Sequence, residues 1–323
     1  MTDVTVSATD QASAALSAGP RLLIVVGPTG AGKTELALTL ARQLNGEVVS
    51  ADSQQVYRSM DIGTGKVTPG QRADVPHHLL DVAEPDTEMT AVRFVELADV
   101  AIADIHRRGR AVIVCGGTGL YVRTLLLGVF EGPSADLEMR AALYQRIADF
   151  GAAELHAELA RVDPPMAAKI SVNDHKRLVR ALEVFALTGV QMSVHQAAHN
   201  HRTVPPRYAH MLLGLAPERE TLYQRIDARV ASMFDQGLVA EVMQLRGRGI
   251  KPPMRSQQAI GYAEVHSHLD GDLDLATTVA LIQRNSRRYA RRQLSWYRPD
   301  ASVVWHQSAT TVDVGACKRY VTG

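Results

Sequence analysis

The segment of this 323-residue chain with the clearest chemistry is a glycine-rich turn between the apolar run 22–26 and the helical pattern 35–44. Glycines let the backbone curl so that its N–H groups point at an anion, and the helix dipole adds to the attraction. A lysine supplies a positive charge, and a threonine hydroxyl can bind a phosphate-held Mg²⁺. These features predict a di- or triphosphate-binding loop formed by Gly27, Pro28, Thr29, Gly30, Ala31, Gly32, Lys33 and Thr34.

A carboxylate and three hydrogen-bonding side chains follow the next predicted strand, residues 47–50. At the end of a strand facing a phosphate loop, Asp52 can help to hold Mg²⁺ or act as a general base. The same Asp-Ser pair is also good capping or turn chemistry, so a structural role stays open. Ser53, Gln54 and Gln55 can read the edge of a nucleobase or form a solvated loop, and the sequence does not choose between these roles.

A basic stretch near the carboxyl end, residues 284–298, carries six arginines and no carboxylate. Solvated helix faces usually mix the two signs of charge, whereas an unmixed arginine face is typical of phosphate binding. The interleaved aromatic side chains can stack on bases or pack into the core. We therefore expect nucleic-acid contact here. The arginines that share one helix face by their spacing of three and four are Arg284, Arg287, Arg288 and Arg291.

Two smaller basic sets are less specific. Lys176, Arg177 and Arg180 share one face of a predicted helix, and on its own this pattern is typical of a solvated face. Arg225 and Arg229 lie one helical turn apart, so that one of them can reach the phosphate loop, although two surface arginines are the ordinary expectation.

Apolar strands alternate with helical patterns in the elements that must position these residues. This alternation predicts an α/β fold with a parallel sheet and helices on both faces. Ligands of such sheets gather at the carboxyl ends of the strands, where the phosphate loop, Asp52 and the turn 116–119 all lie. The predicted strands are residues 22–26, 47–50, 111–115, 209–215 and 302–306.

The pattern changes after Gly132-Pro133. Three segments with helical periodicity follow between residues 136 and 187, and no strand pattern lies between them. We therefore predict an all-helical insertion over residues 133–203. It interrupts an α/β core formed by residues 21–132 and 204–323, after a loose tail at residues 1–20.

Bulk properties exclude several classes of protein. The net charge of +1 provides no global attraction to nucleic acid, so such binding depends on local clusters. No apolar stretch approaches 18 residues, and Cys115 and Cys317 allow one disulfide at most. We expect a cytoplasmic monomer with free thiols and no membrane partner.

Several ordered motifs resemble those of bacterial-type tRNA isopentenyltransferases, the tRNA dimethylallyltransferase family. The resemblance runs from about residue 21 to residue 306. The block from Ser50 to Lys66 is the most specific, because ordinary P-loop kinases do not carry it. The matching motifs are GPTGAGKT, SADSQQVYRSMDIGTGK, VPHHLLD, GGTGLYVRTLLLG, PSADLEMR, NDHKRLVRALEVF, QAIGYAE and RRYARRQLSWYR.

The resemblance implies a P-loop NTPase-like sheet flanked by helices, and transfer of a dimethylallyl group from dimethylallyl diphosphate to N6 of the adenosine 3′ to the anticodon in tRNA. It implies that Asp52 takes the proton of the amine, while Lys33, Thr34-bound Mg²⁺ and Arg229 stabilise the leaving diphosphate. The implied contacts to the tRNA anticodon stem-loop are Asp52, Ser53, Gln54, Gln55, Thr118, Arg140, Lys176, Arg177, Arg180, Arg284, Arg287, Arg288 and Arg291.

Two alternatives remain at this stage. An ATP-dependent small-molecule kinase fits the phosphate loop equally well, but the strand 111–115 ends in Gly-Gly-Thr and lacks the metal-binding Asp of an ATPase. A non-catalytic RNA-binding module needs neither the phosphate loop nor Asp52.

Overall fold

The computed structural model describes residues 19–128, 132–198 and 204–323. The chain divides into two compact units, of which the second is Leu127–Pro205 and the first contains the segments on either side of it. The sequence predicted an insertion over 133–203 and a tail over 1–20. Residues 199–203 of the insertion and residues 1–18 of the tail lie outside the described part of the chain.

Among the described residues of the first unit, six strands form one sheet in the order β3-β2-β4-β1-β5-β6. All neighbouring strands are parallel, which confirms the predicted α/β class. Strand β3 contains two residues only and was not predicted. The strands are β1 (Arg21–Val26), β2 (Gly46–Ser50), β3 (His77–His78), β4 (Ala111–Cys115), β5 (Ala209–Leu215) and β6 (Val303–His306).

Helices make up most of the remaining regular structure. None of those within the described ranges combines the length and hydropathy required to cross a bilayer. In chain order they are α1 (Lys33–Gln43), α2 (Pro69–Asp74), α3 (Ala91–Arg107), α4 (Gly119–Leu127), α5 (Leu137–Phe150), α6 (Ala152–Val162), α7 (Pro164–Ala167), α8 (His175–Thr188), α9 (Met192–Ala198), α10 (Arg219–Asp235), α11 (Leu238–Gly247), α12 (Tyr262–Leu269), α13 (Leu275–Tyr297) and α14 (Val314–Thr322).

The central strand β1 explains why the phosphate loop is well supported. Its residues 22–26 are fully buried, because parallel strands lie on both sides and α1 and α14 pack into the same core. A strand that is buried on both faces needs apolar side chains at every position, which explains the uninterrupted apolar run of residues 22–26. The strand leads directly into the glycine-rich turn, and α1 begins immediately after Gly32, whose φ of 91° suits glycine.

The second unit contains helices α5 to α9 and has its own apolar core, with Leu155, Leu159 and Leu178 fully buried. Helices α5, α7 and α8 each begin at an aspartate whose side chain accepts a hydrogen bond from a backbone N–H three residues later. Such caps stabilise a helix start by about 1 kcal/mol each. No strand occurs among this unit's described residues.

Candidate active site

The phosphate loop is closed by its own lysine. The Lys33 ammonium donates a hydrogen bond to the Pro28 carbonyl oxygen at 2.8 Å. The loop also passes very close to β5, because a Cβ on Gly27 would lie 2.5 Å from the Leu215 carbonyl oxygen. A side chain at position 27 would therefore displace the backbone of the loop or of the neighbouring strand.

Two cations and one carboxylate meet beside this loop. Burial lowers the pKa of Lys33, while the neighbouring Asp52 raises it and Arg229 lowers it further. Burial also lowers the pKa of Arg229, against a raising effect of Asp52. These mutual effects show that Lys33, Arg229 and Asp52 lie near one another, the three residues to which the resemblance assigns a common site. The thiol of Cys115 lies in the same environment, where burial raises its pKa to about 11, so it stays protonated at neutral pH.

Asp52 has the turn role that the sequence left open. Its Oδ1 atom accepts hydrogen bonds from the backbone N–H groups of Gln54 at 2.8 Å and Gln55 at 3.3 Å. Its Oδ2 atom accepts none from the described residues, so one oxygen remains available to a ligand. The turn is linked to the end of β4, because the Ser53 N–H donates to Thr118 Oγ1 at 3.0 Å.

The segment after this turn folds back and holds Arg229. Gln55 Nε2 donates to the carbonyl oxygens of Thr64 and Gly65, both at 3.3 Å. Arg229 Nη2 donates to the same Thr64 oxygen at 3.0 Å. Gly65 has a φ of 59°, and a Cβ on it would collide with the Arg229 guanidinium. The glycine therefore allows the close approach of the arginine.

Lys66 ends the most specific motif and has a structural role. Its side chain is 1% exposed and donates to the Tyr57 carbonyl oxygen, to Asp61 Oδ1 at 2.8 Å and to Asp81 Oδ1. Arg72 pairs with the second oxygen of Asp81 at 2.6 Å. Lys66 therefore joins both ends of the 57–66 loop to the segment around Asp81.

Glu241 supports the loop that holds Arg229, and sequence reasoning missed it. Its carboxylate accepts hydrogen bonds from the N–H groups of Asp61 at 2.9 Å, Ile62 at 2.8 Å and Gly63 at 3.2 Å. The hydroxyl of Tyr262, a fully buried side chain on α12, donates to the same carboxylate at 2.6 Å. A glutamate on a mixed helix gives no sequence signal for such a role.

Gln293 on α13 is a second residue that sequence reasoning missed. Its Oε1 atom accepts a hydrogen bond from the Thr29 N–H at 2.8 Å, and its Nε2 atom donates to the Gly117 carbonyl oxygen at 3.0 Å. Tyr289, one turn earlier, lies next to Thr118 and Gln293, and burial raises its pKa to about 12. The available signal was a glutamine on the apolar side of the helix, between the buried Ala290 and Tyr297. Of the two interpretations of the aromatic residues, packing therefore holds for the buried Tyr297.

The arginine face of α13 is divided between two environments. Arg284, Arg288 and Arg291 are exposed and form no ion pair with any described carboxylate. Arg287 is half-buried and donates to Asp227 Oδ1 on α10 at 2.5 Å. Three of the four predicted contacts are therefore open to a polyanion, while the fourth is engaged within the protein.

The predicted basic residues of the helical unit divide in a similar way. Arg140 and Arg180 both bind Glu183, a fully buried carboxylate, at 2.8 Å and 2.6 Å. Burial alone would raise the pKa of Glu183, but the hydrogen bonds from these arginines and from the Asp136 N–H lower it. Lys176 and Arg177 are exposed.

The parallel sheet, with a glycine-rich loop after its central strand and helices on its faces, defines a P-loop-like α/β protein. The chain belongs to the IPP transferase family, whose model matches residues 55–300. It is 52% identical over 287 residues to a tRNA dimethylallyltransferase of Anaeromyxobacter dehalogenans, an alignment that covers 88% of this chain and 94% of the relative.

Solved structures give the same assignment. The full-length tRNA isopentenylpyrophosphate transferase of Bacillus halodurans matches with a TM-score of 0.68 and 40% identity, over 94% of this chain and 96% of that one. A eukaryotic dimethylallyltransferase acting on tRNA matches with a TM-score of 0.77 and 28% identity, over 93% of this chain and 77% of that one.

Proposed function

We propose that this protein transfers the dimethylallyl group of dimethylallyl diphosphate to N6 of the adenosine 3′-adjacent to the anticodon in tRNA. The products are N6-isopentenyladenosine and diphosphate. The strongest support is the meeting of Lys33, Arg229 and Asp52 at the phosphate loop. Displacement of a diphosphate by an amine needs cations for the leaving group and a base for the amine proton.

The reaction assigns a separate task to each of the three groups. As N6 forms its bond to the allylic carbon, the carbon–oxygen bond breaks and its electron pair stays on the diphosphate. Lys33, Arg229 and the loop N–H groups stabilise that charge, and they do so strongly because burial removes competing water. The free Oδ2 of Asp52 takes the N6 proton, a contribution of roughly 10²–10⁴-fold.

The donor set fits Mg²⁺ bound together with the diphosphate. Among the described residues no three His, Cys, Asp or Glu side chains converge as a metal site. Mg²⁺ commonly takes one or two protein ligands and completes its shell with phosphate oxygens and water. Thr34, exposed at the start of α1, would supply the protein ligand. When bound, the ion adds positive charge against the leaving diphosphate.

The remaining predicted residues form the tRNA side of the site. Gln54 Oε1 is buried and receives no hydrogen bond from the described residues, so it can accept one from a base amine. Ser53, Gln55 and Thr118 lie in the same turn and strand end. The exposed arginines of α13 bind backbone phosphates of the anticodon stem-loop, together with Lys176 and Arg177 of the helical unit. Arg140 and Arg180 contribute by orienting that unit's surface, since both are tied to Glu183.

We further propose that the enzyme acts as a cytoplasmic monomer. One chain supplies the phosphate loop, Asp52 and Arg229, so no second copy is required to complete the site. Size-exclusion chromatography with light scattering tests the monomer directly.

The decisive experiment offers the purified protein two labelled donors, dimethylallyl diphosphate and ATP, with an unmodified tRNA. We expect label from dimethylallyl diphosphate in the nucleoside 3′ to the anticodon, identified by mass spectrometry. Lys33→Met is the matched inactive control. Consumption of ATP without prenylation of the tRNA would support the kinase alternative instead.

A further inference from the structure

A single buried carboxamide joins the two halves of the site. Gln293 is 5% exposed, and both polar atoms of its side chain are in use. Its Oε1 atom receives the Thr29 N–H of the phosphate loop, and its Nε2 atom donates to the Gly117 carbonyl oxygen after β4. These backbone partners lie 264 and 176 positions away along the chain.

The neighbouring residues are arranged around this bridge. A Cβ on Gly117 would collide with Gln293 Nε2, so the glycine leaves the space that the amide occupies. The next residue, Thr118, accepts the hydrogen bond that connects to the Asp52 turn. Tyr289 lies against both Thr118 and Gln293. The loop that faces the diphosphate and the turn that faces the amine are thus linked through one side chain.

We propose that Gln293 is a positioning residue that fixes the phosphate loop relative to the Gly117–Thr118 turn, and this inference rests on the function proposed above. The loop sets the position of the allylic carbon, and the turn sets the position of the base and its general base. Their separation decides whether the two reacting atoms meet. A displacement of about 1 Å between reacting groups can lower a rate by about 100-fold. Loss of the bridge therefore slows the chemical step more than it weakens the binding of either substrate.

The test compares three variants with the wild type under single-turnover conditions with both substrates saturating. Gln293→Met removes both hydrogen bonds at similar volume. Gln293→Asn keeps the carboxamide on a side chain that is one methylene shorter, so that it cannot reach both Thr29 and Gly117. Gln283→Met, on the same helix, is the control for loss of a glutamine away from the bridge. Equilibrium dissociation constants for tRNA and for dimethylallyl diphosphate are measured separately.

We expect both Gln293 variants to react at least about tenfold more slowly, with each dissociation constant within about threefold of the wild type and with Gln283→Met unchanged. A normal rate in Gln293→Met overturns the proposal, and so does a normal rate in Gln293→Asn, because a bridge between Thr29 and Gly117 would then be dispensable. A loss of affinity as large as the loss of rate also overturns it, since Gln293 would then act in binding or folding. Absence of transfer by the wild type would instead refute the proposed function.

Discussion

Asp52 combines two roles that a pair of substitutions can separate. Its Oδ1 atom holds the turn through the N–H groups of Gln54 and Gln55, and its Oδ2 atom is assigned to the proton of the substrate amine. The Asp52→Asn variant retains an Oδ1 acceptor but has no basic oxygen, whereas the Asp52→Ala variant retains neither. At about 1 kcal/mol for each hydrogen bond, Asp52→Ala should lose about 2 kcal/mol of stability and Asp52→Asn much less.

The two variants should nevertheless lose activity to a similar degree. Removal of a general base lowers the single-turnover rate by roughly 10²–10⁴-fold, and both substitutions remove it. The assay measures transfer of labelled dimethylallyl to tRNA at saturating substrate, beside urea unfolding and equilibrium tRNA binding. Binding of tRNA should change far less than the rate.

Asp313→Asn provides a matched control, because Asp313 caps α14 by the same chemistry on an exposed surface. That variant should be fully active. Near-normal turnover of Asp52→Asn would remove Asp52 from the base role and leave it only the turn. A rate that falls in Asp52→Ala alone would lead to the same conclusion.

Three further variants address the surface, the helical unit and the support of the site. Replacement of Arg288 and Arg291 with alanine should weaken tRNA binding and reduce the slope of log affinity against log salt by about two, as measured by filter binding. Glu183→Gln should lower the free energy of unfolding of the helical unit by about 3 kcal/mol, as measured by hydrogen exchange in α5 and α8 at neutral pH. Because the pKa of Glu183 is lowered in the folded protein, this stabilisation is present above the unfolded pKa and is lost as the pH falls through the folded value. Glu241→Gln should reduce the rise in Tm that inorganic pyrophosphate gives the wild type, because a looser loop holds Arg229 less firmly.

Each of these expectations has a result that would contradict it. An unchanged salt slope would mean that the exposed arginines of α13 do not meet phosphates; Arg93→Ala, on α3, is the control for loss of an exposed arginine. A destabilisation of the Glu183 variant that persists at low pH would show that packing, not charge, is responsible. A full pyrophosphate response in the Glu241 variant would separate the 61–65 loop from the anion cradle.

The sheet and its long helices were predictable because local pattern and tertiary environment agree. Strands β4 and β5 have the predicted bounds, and helix α1 covers Lys33–Gln43 where the sequence predicted 35–44. Strand β3 was missed because two histidines carry no period that could reveal a strand. Helix α4 was missed because it begins at a glycine and buries most of its side chains, which leaves no amphipathic pattern.

The residue types of the site were predictable, but their partners were not. The glycines, Lys33 and Asp52 have local motifs whose chemistry is readable. Glu241 and Gln293 act across 178 and 264 positions, and no local spacing encodes such contacts. Sequence also cannot tell a free arginine from one neutralised inside the fold, as Arg287 shows.

Helix α13 is an unbroken rod of 23 residues, about 35 Å long. One of its sides presents cations to the solvent, and another side touches the cradle and the turn through Gln293 and Tyr289. The two sides therefore share one continuous backbone from residue 275 to residue 297. One rigid element thus joins the arginine surface proposed for the nucleic acid to the two segments that align the donor and the acceptor.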